Sequence, residues 1–346
     1  MTYEHGAPPK ATMAQVAERA GTSVPTVSKV LSGRTDVSEA MRARVKRAIQ
    51  ELSYQRPTRL GSAGDDRRRA KVIDVVVGHI DGSWVSGVLE GVEEEASAHG
   101  IDLVLTVARP DGDWVGRLLR RPTLGAIIVL VDTTAAQFRV LTNGDVRVVV
   151  VDPRSRPPVN VASIGATNWN GGRTAAEHLL SLGHTRIGVI GGSRNHLYSS
   201  ARIDGFTTAL LEAGISVPPP WMAFCDWNRD RSRRAVRGML AHTADRPTAI
   251  FACSDIMALG VYDAAGEAGL GIPHQLSVIG FDDLQESAWA TPPMTTIQQP
   301  IFEMGAAAFR LLNQTRPTSS TPIRMEIETR LIDRRSASRM QVNHDG

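Results

Sequence analysis

The chain reads Ala11-Thr-Met-Ala-Gln-Val-Ala-Glu-Arg-Ala-Gly-Thr-Ser-Val-Pro-Thr-Val-Ser-Lys-Val-Leu-Ser32 near its start, and this stretch decides the fold of the N-terminal region. Thr12 and Gln15 match a capping box, in which a hydroxyl and an amide each satisfy an unpaired backbone N–H group. A helix is therefore predicted from Met13. Gly21 is predicted to end it, because glycine adopts the left-handed conformation of a helix stop without strain.

A second helix is predicted after Ser23, with Pro25 in its first turn, where a missing N–H group costs no hydrogen bond. Across both helices apolar residues recur at helical spacing, and polar residues occupy the other face. The inward set is Val16, Ala17, Val27, Val30 and Leu31, and the outward set is Ser23, Thr26, Ser28 and Lys29. Small hydrogen-bonding side chains on an exposed helix suit the major groove of DNA.

A third helix is predicted from Ser38. Its apolar side carries Met41, Val45, Ala48 and Leu52, and its other sides carry Arg42, Arg44, Lys46 and Arg47. A helix pair around a glycine turn is common in small globular domains and does not establish DNA binding by itself. The basic rim of the third helix favours a DNA-binding head over that alternative.

Charge is distributed unevenly along the 346 residues. Residues 1 to 70 hold 13 basic and 7 acidic side chains, whereas the remainder holds 26 basic and 29 acidic ones. The basic character is therefore concentrated in the segment that is predicted to contact phosphates. A chain of this length is expected to form two or three domains.

The two cysteines, Cys225 and Cys253, occur without CxxC or zinc-ligand spacing. Neither a disulfide framework nor a metal or other cofactor is predicted. Residues 1–10 lack the apolar centre of a signal peptide, and no run of about 18 apolar residues occurs. A cytoplasmic location without membrane contact is therefore expected.

From residue 72 onward, short β-branched runs alternate with helical segments, which is typical of a parallel sheet covered on both faces. Strands are predicted at 72–77, 101–107, 126–130, 146–151, 186–190, 249–251 and 277–280, and helices at 85–99, 171–182, 201–213, 230–241 and 256–268. Such units can form one barrel, one wide sheet or two doubly wound lobes. Proline-rich interruptions at 152–158 and 291–293 favour two lobes, with a ligand at the carboxyl ends of strands.

The predicted domains follow from these patterns. Residues 1–55 form the helix-turn-helix head, 56–70 a linker, 71–335 a two-lobed α/β core, and 336–346 a tail. The linker assignment rests on turn-forming and charged residues without apolar periodicity.

The chain resembles the LacI/GalR family of bacterial transcription repressors over nearly its whole length. The resemblance is carried by Met13-Ala-Gln-Val-Ala-Glu-Arg-Ala-Gly, Val27-Ser-Lys-Val-Leu-Ser, Leu179-Leu-Ser-Leu-Gly-His-Thr-Arg-Ile-Gly, Ser254-Asp-Ile-Met-Ala-Leu-Gly, Ser277-Val-Ile-Gly-Phe-Asp-Asp and Pro293-Met-Thr-Thr-Ile-Gln-Gln-Pro. It implies a helix-turn-helix head on a core like that of periplasmic sugar-binding proteins, and this core is expected to bind the effector and to form the dimer. Its lobe 1 is assigned to about 71–165 plus 298–323, and its lobe 2 to about 166–297 plus 324–335. The resemblance also implies homodimers or tetramers in which an effector in the cleft changes the affinity for operator DNA.

The resemblance implies which residues of the head contact DNA. They are Thr12, Met13, Ser23, Val24, Pro25, Thr26, Ser28 and Lys29. Val24 and Pro25 hold the two leading base-facing positions, and because they have no donors we expect apolar contact with a thymine methyl group. Lys29, one turn later, is left to read a guanine edge. Simple helix initiation is the alternative explanation of the Val-Pro pair.

The linker departs from the family pattern. Family members place a hinge helix here, with a leucine that wedges into the minor groove. This chain has Ala63 at the usual leucine position and Leu60 one turn earlier, and Gly61 and Gly64 weaken a helix. Either Leu60 acts as the wedge, or the linker contributes only the charge of its arginines.

Four of the six tryptophans are predicted in strand-to-helix loops: Trp84, Trp169, Trp227 and Trp289. An indole face suits the C–H face of a pyranose, while polar side chains bind its hydroxyls. The resemblance implies effector contacts from Asn170, Arg202, Trp227, Ser254, Asp282 and Gln299, and Asp81 and Trp84 lie in the first loop of the core. Asp282 and Arg202 are expected to bind vicinal hydroxyls from two sides.

Purely structural roles remain open for three residues. Arg202 can pair with Asp204 or Asp230 at the surface, Asn170 can cap a helix from Gly171, and Trp289 can fill a gap in the core.

The predicted function is a sugar-responsive repressor that binds a two-fold symmetric operator as a dimer, located in the cytoplasm and at the nucleoid when bound to DNA. A nucleobase effector is the main alternative, since tryptophans also stack on purines. A sugar-binding protein without a regulatory role is less consistent with the basic head. An enzyme is disfavoured because GxGxxG, GxxxxGK[ST] and GxSxG do not occur.

Overall fold

A computed structural model describes residues 11–32, 34, 36–52, 54, 71–241, 246–314 and 323–340. The predicted linker at 56–70, with Leu60 and Ala63, lies outside these ranges. The described residues form two compact units. One comprises the residues up to His79 together with 96–148, and the other comprises 80–95 and the residues from Val149 onward.

Three helices form the N-terminal head: α1 (Met13–Arg19), α2 (Val24–Leu31) and α3 (Glu39–Glu51). The predicted capping box is confirmed, since the Gln15 backbone N–H donates to Thr12 Oγ1 at 3.3 Å and the Thr12 N–H to Gln15 Oε1 at 2.8 Å. Val16, Val27 and Val45 are fully buried where the three helices meet. The apolar periodicity of the sequence therefore builds the small core that was predicted.

The rest of the first unit is built around β1 (Val72–Val77), which pairs in parallel with β2 (Asp102–Val107) and β3 (Ala126–Val129). Val75 of β1 lies between Leu105 and Ile127 in the register. The chain also forms α4 (Ser83–Ala98), α5 (Trp114–Leu118) and α6 (Ala135–Asn143). β1 and β3 are buried runs rich in β-branched residues, as expected for a parallel sheet, whereas the edge strand β2 is mostly half-buried or exposed.

The second unit contains two groups of strands. In the first, β5 (Ala162–Ala166) pairs in parallel with β4 (Val148–Val151) and β11 (Arg324–Ile327). The second is a sheet in the order β12-β10-β9-β8-β6-β7, parallel except for β12. Its members are β6 (Ile187–Gly191), β7 (Met222–Phe224), β8 (Ala249–Ala252), β9 (Ser277–Asp282), β10 (Thr295–Gln298) and β12 (Arg330–Ile332). Because β7 and β12 are open edges, this sheet is not part of a closed barrel.

Six helices and one short 3₁₀ turn accompany these strands. They are α7 (Asn168–Ser181), α8 (Leu197–Glu212), the turn Pro219–Trp221, α9 (Arg229–Leu240), α10 (Asp255–Glu267), α11 (Gln285–Trp289) and α12 (Ile301–Asn313). The alternation of strand and helix in the α/β core is confirmed. In the described ranges, no helix combines the length and apolar composition that a membrane crossing needs.

Several elements were not predicted from the sequence, namely β5, β7, β10, β11, β12, α5, α6, α11 and α12. Most are three to five residues long, too short to show a period. The predicted helix starts are also late: α8 begins at Leu197 rather than at 201, and α7 at Asn168 rather than at 171. The predicted tail begins with Ser336, which is buried and donates through Oγ to the Val278 carbonyl at 2.6 Å.

Helices α7 and α8 approach closely because glycine lies at their contact. A Cβ atom on Gly205 would stand 1.9 Å from the Trp169 carbonyl oxygen, and one on Gly172 would stand 2.0 Å from the Arg202 carbonyl oxygen. Neither backbone can move without its helix. The pair therefore sets how closely α8 lies to α7, and with it the position of Arg202.

We predict that Gly205→Ala lowers the free energy of unfolding by about 1–3 kcal/mol, the range for overpacking a core. Gly238→Ala is the matched control, since no atom lies within 4 Å of its Cβ position in α9. That variant should raise stability by about 0.5–1 kcal/mol, because alanine is the better helix former. Denaturant unfolding of both variants tests this, and equal effects would contradict the close approach.

Candidate functional site

The first turn of α2, which was predicted to contact DNA, is exposed. Ser23 caps the helix through Oγ, which lies 3.4 Å from the Thr26 backbone nitrogen and 2.9 Å from Thr26 Oγ1. Val24 is 41% exposed and Pro25 is exposed beside it. Val24 and Pro25 are thus accessible to a binding partner.

The other predicted DNA contacts are placed less uniformly. Thr12 is exposed at the α1 cap, and Met13 lies partly buried against the core of the head. Ser28 and Lys29 are half-buried on α2. DNA contact by these residues stays a prediction.

A buried guanidinium forms the centre of the second candidate site. Arg202 of α8 is 2% exposed; its Nε donates to Asn168 Oδ1 at 2.7 Å, and its Nη1 donates to the Cys253 carbonyl at 2.5 Å and to Asp282 Oδ1 at 3.2 Å. Its carbon Cζ lies 3.8 Å from the centroid of the Phe281 ring. The cation is thus held by an amide, a carbonyl, a carboxylate and an aromatic face.

Asp282 is held in a constrained turn at the end of β9. Asp282 and Asp283 have φ angles of 115° and 58°, which residues other than glycine rarely adopt. Asp255 Oδ2 accepts the backbone N–H that follows the turn at 2.7 Å, and Arg334 Nη2 donates to Asp283 Oδ1 at 2.7 Å. These hydrogen bonds, one buried and one partly buried, hold the turn that carries the carboxylate facing Arg202.

Aromatic rings stand beside the guanidinium. The Trp227 and Tyr198 ring centroids each lie 5.7 Å from Arg202 Cζ and 5.2 Å from one another. His196 Nδ1 lies 3.1 Å from both Trp227 Nε1 and Tyr198 Oη. Gly192 leaves room for the indole, since a Cβ atom there would stand 2.1 Å from the ring. Together these residues give the site a partly apolar wall.

Burial makes the carboxyl groups around Arg202 weaker acids than usual. It raises the pKa of Asp152 to about 6 and that of Asp282 to about 6, although the charge of Arg202 lowers both. The pKa of Asp255 is also raised well above its ordinary value, mainly by burial. The Arg202 cluster is made up of Asp152, Asn168, His196, Tyr198, Arg202, Trp227 and Asp282. Its acidic groups outnumber the one arginine, so the cluster favours a ligand that donates hydrogen bonds.

Gln299 extends the cluster with an unsatisfied acceptor. Its Nε2 donates to Asp282 Oδ1 at 2.5 Å, whereas Oε1 is buried and has no hydrogen-bond partner among the described residues. A cavity of about 830 Å³ is bordered by Gln299, and by Ser83 and Glu286, whose side chains share a 2.6 Å hydrogen bond. Arg202, Asp282 and Trp227 are not on the wall of that cavity.

The structure brings together four of the eight predicted effector residues: Arg202, Trp227, Asp282 and Gln299. Ser254 lies next to Cys253 but caps α10, where Oγ accepts the Met257 N–H at 3.2 Å. Asp81 and Asn170 are exposed, and Trp84 is half-buried in the first turn of α4. The hydrogen bonds described above do not include these three residues, and their role stays a prediction.

The three purely structural roles considered for Arg202, Asn170 and Trp289 are wrong. Arg202 is buried against Asp282 and does not pair at the surface. Helix α7 begins at Asn168 with Thr167 as its N-cap, so Asn170 caps nothing. Trp289 is 69% exposed and fills no core gap.

The tryptophans also differ from their predicted loops. Trp84 and Trp169 lie in the first turns of α4 and α7, because these helices begin earlier than the periodicity indicated. Trp289 ends α11, a short helix that was not predicted. Trp227 alone of the four lies in a loop, with a φ of 61°.

Sequence reasoning missed four residues of the cluster: Asp152, Asn168, His196 and Tyr198. Asp152 and Asn168 carried a usable signal, because each is a polar residue directly after a buried strand or at the start of a helix. His196 and Tyr198 had no local signal. Their role follows from the way α8 begins next to the loop of Trp227.

Comparison with known proteins identifies both parts of the chain. Residues 12–57 match the family model described as bacterial regulatory proteins, lacI family, and residues 176–337 match the one described as periplasmic binding protein-like domain. The ribose operon repressor of Escherichia coli K12 is 31% identical over 328 residues, covering 91% of this chain and 98% of that protein.

Two solved structures share the fold over almost the whole chain. A transcriptional regulator CelR–cellobiose complex is 29% identical with a TM-score of 0.74, covering 94% of this chain and 100% of that one. The lac repressor dimer bound to operator and the anti-inducer ONPF is 26% identical with a TM-score of 0.71, covering 95% and 100%. The predicted helix-turn-helix head and two-lobed α/β core are thereby confirmed.

We predict that Asp152→Asn changes how stability depends on pH. The native pKa of Asp152, about 6, exceeds its ordinary value of 3.8, so the native state binds an extra proton between these values. This contribution stabilises the wild type at low pH and is lost as the pH rises through about 6.

Urea unfolding at pH 5, 6 and 7 should therefore show Asp152→Asn gaining stability relative to the wild type as the pH rises. Asp204→Asn, on an exposed residue of α8, controls for the loss of one negative charge. A stability difference for Asp152→Asn that is the same at all three pH values would contradict the buried, protonatable carboxyl.

Proposed function

The chain belongs to the lacI family of bacterial regulatory proteins, and we propose that it is a repressor whose affinity for operator DNA changes when a sugar binds to the Arg202 cluster. The observation that carries the sugar assignment is the buried Arg202–Asp282 pair beside the Trp227 and Tyr198 rings. Among the relatives, one is named a ribose operon repressor and one is a complex with cellobiose.

The cluster has the groups that a pyranose needs. Hydroxyl groups can donate to the carboxylates of Asp282 and Asp152 and accept from the Arg202 guanidinium. The unpaired Gln299 Oε1 offers one more acceptor, and leaving it unpaired costs stability that a hydroxyl donor would recover. The Trp227 ring supplies a flat surface for the C–H face.

The head supplies the second half of the function. Its basic residues give salt-dependent affinity for phosphates, and the α2 side chains give sequence preference. Val24 and Pro25 are proposed to meet a thymine methyl group, and Lys29 a guanine edge. We place the protein in the cytoplasm, on the chromosome when bound, as a dimer on a symmetric operator, with binding rather than turnover of the sugar.

A purine is the other candidate effector, because the Trp227 and Tyr198 rings also suit a flat base. A thermal-shift panel of pentoses, hexoses, disaccharides and purines separates the two. We expect stabilisation by a sugar, and stabilisation by purines alone would remove the sugar assignment.

We predict that the stabilising sugar changes DNA affinity by roughly 5- to 150-fold, the usual size of allosteric coupling. The probe is a duplex that the wild type selects from a random pool. Asp282→Asn should keep the affinity for this duplex and lose the response to sugar, because the hydroxyl acceptor beside Arg202 loses its charge.

Asp226→Asn is the matched control, since Asp226 is an exposed carboxylate next to Trp227 and also has a positive φ. It should respond to sugar like the wild type. A folded Asp282→Asn protein with a normal response would remove Asp282 from the effector site.

A further inference from the structure

The turn between α2 and α3 places one carboxylate against two cations. Lys29 Nζ lies 2.8 Å from Asp36 Oδ2, and Arg34 donates from Nε and Nη2 to the two oxygens of Asp36 at 3.0 and 2.9 Å. Lys29 is the residue proposed to read a guanine edge. Its ammonium group is therefore bound to an acid of the same chain.

Hydrogen bonds along the turn place Asp36 there. The Arg34 backbone N–H donates to the Lys29 carbonyl at 3.1 Å. The guanidinium of Arg42 on α3 donates to the carbonyls of Arg34 at 2.6 Å and Val37 at 3.2 Å. Both flanks of Asp36 are thus tied to helices, so the backbone sets its position beside Lys29.

The ion pair is exposed and can be disturbed by DNA. The Lys29 and Asp36 side chains are 42% and 41% exposed. The hydrogen bond from Lys29, with that from Arg34, lowers the pKa of Asp36, so its carboxylate is charged at neutral pH. A negative charge at this point repels a phosphate and weakens the phosphate binding of Lys29. The Arg34 side chain is only 13% exposed and also donates to the Asp111 carbonyl, so it holds Asp36 in place and is not a free phosphate contact.

A lysine ammonium has three donors, and Asp36 occupies one of them. Two donors remain for the N7 and O6 acceptors of a guanine, so a specific complex can form without breaking the ion pair. In a non-specific complex Lys29 has no guanine edge to bind, and the affinity depends on phosphate contacts alone. Nothing then offsets the repulsion between Asp36 and the phosphates.

We propose that Asp36 determines DNA selectivity: it lowers affinity for non-cognate DNA by neutralising Lys29 and directs Lys29 to a base edge. The inference rests on the proposed function of the head as the DNA-binding part.

The test compares two duplexes, one selected by the wild type from a random pool and one of scrambled sequence. In the full-length chain, Asp36→Asn should raise affinity for the scrambled duplex roughly three- to tenfold, as expected for freeing an exposed cation. It should also steepen the salt dependence there by about 1 in log–log slope. Affinity for the selected duplex should not rise.

Glu18→Gln is the matched control, because it removes one exposed carboxylate from α1 of the same head. Lys29→Ala tests the mechanism: in that background Asp36→Asn should change the ratio of the two affinities less than it does in the wild type. A ratio that changes equally with and without Lys29 would contradict the role of the pair.

The outcomes separate this inference from the proposed function. If the wild type enriches no duplex from the pool, the proposed function fails. If a duplex is enriched and Asp36→Asn behaves like Glu18→Gln, or lowers affinity for both duplexes equally, the role of Asp36 alone is overturned.

Discussion

The burial of the Arg202 guanidinium is the constraint on which the second unit depends. A buried charge without partners is costly, so each surrounding element must deliver a compensating group. Helix α7 brings Asn168, the end of β8 brings the Cys253 carbonyl, and the end of β9 brings Asp282. Because β8 and β9 are parallel neighbours, their carboxyl ends meet at one edge, where these groups converge. The requirement of one cation thus explains where the polar groups of the site lie.

Rigidity of the surrounding turn follows from the same constraint. Asp282 and Asp283 hold a backbone conformation that costs energy, and hydrogen bonds to Asp255 and Arg334 maintain it. A carboxylate fixed before the ligand arrives spares the entropy of ordering it on binding. The glycine contact between α7 and α8 has a similar effect, because it holds the helix that carries Arg202 close to Asn168. The polar groups of the site are therefore held in place by the protein itself.

The sequence allowed the head to be predicted almost completely, since capping and apolar periodicity are local properties and Thr12 and Gln15 act on each other across three residues. The site was predictable in part. Arg202, Asp282 and Trp227 were identified through resemblance, whereas Asn168 and His196 depend on contacts over 34 and 31 residues. Such contacts leave no local pattern. Short elements such as β7 and β12 were missed because three residues cannot display a period.

One chain that holds both a basic three-helix head and a charged, aromatic candidate ligand site can have two linked binding equilibria. Linkage is reciprocal: if a sugar changes the affinity for DNA, DNA must change the affinity for the sugar by the same factor. The most direct measurement is calorimetric titration of the sugar into the protein, free and saturated with its selected duplex. The account predicts dissociation constants that differ by roughly 5- to 150-fold between the two titrations. Equal dissociation constants would contradict it.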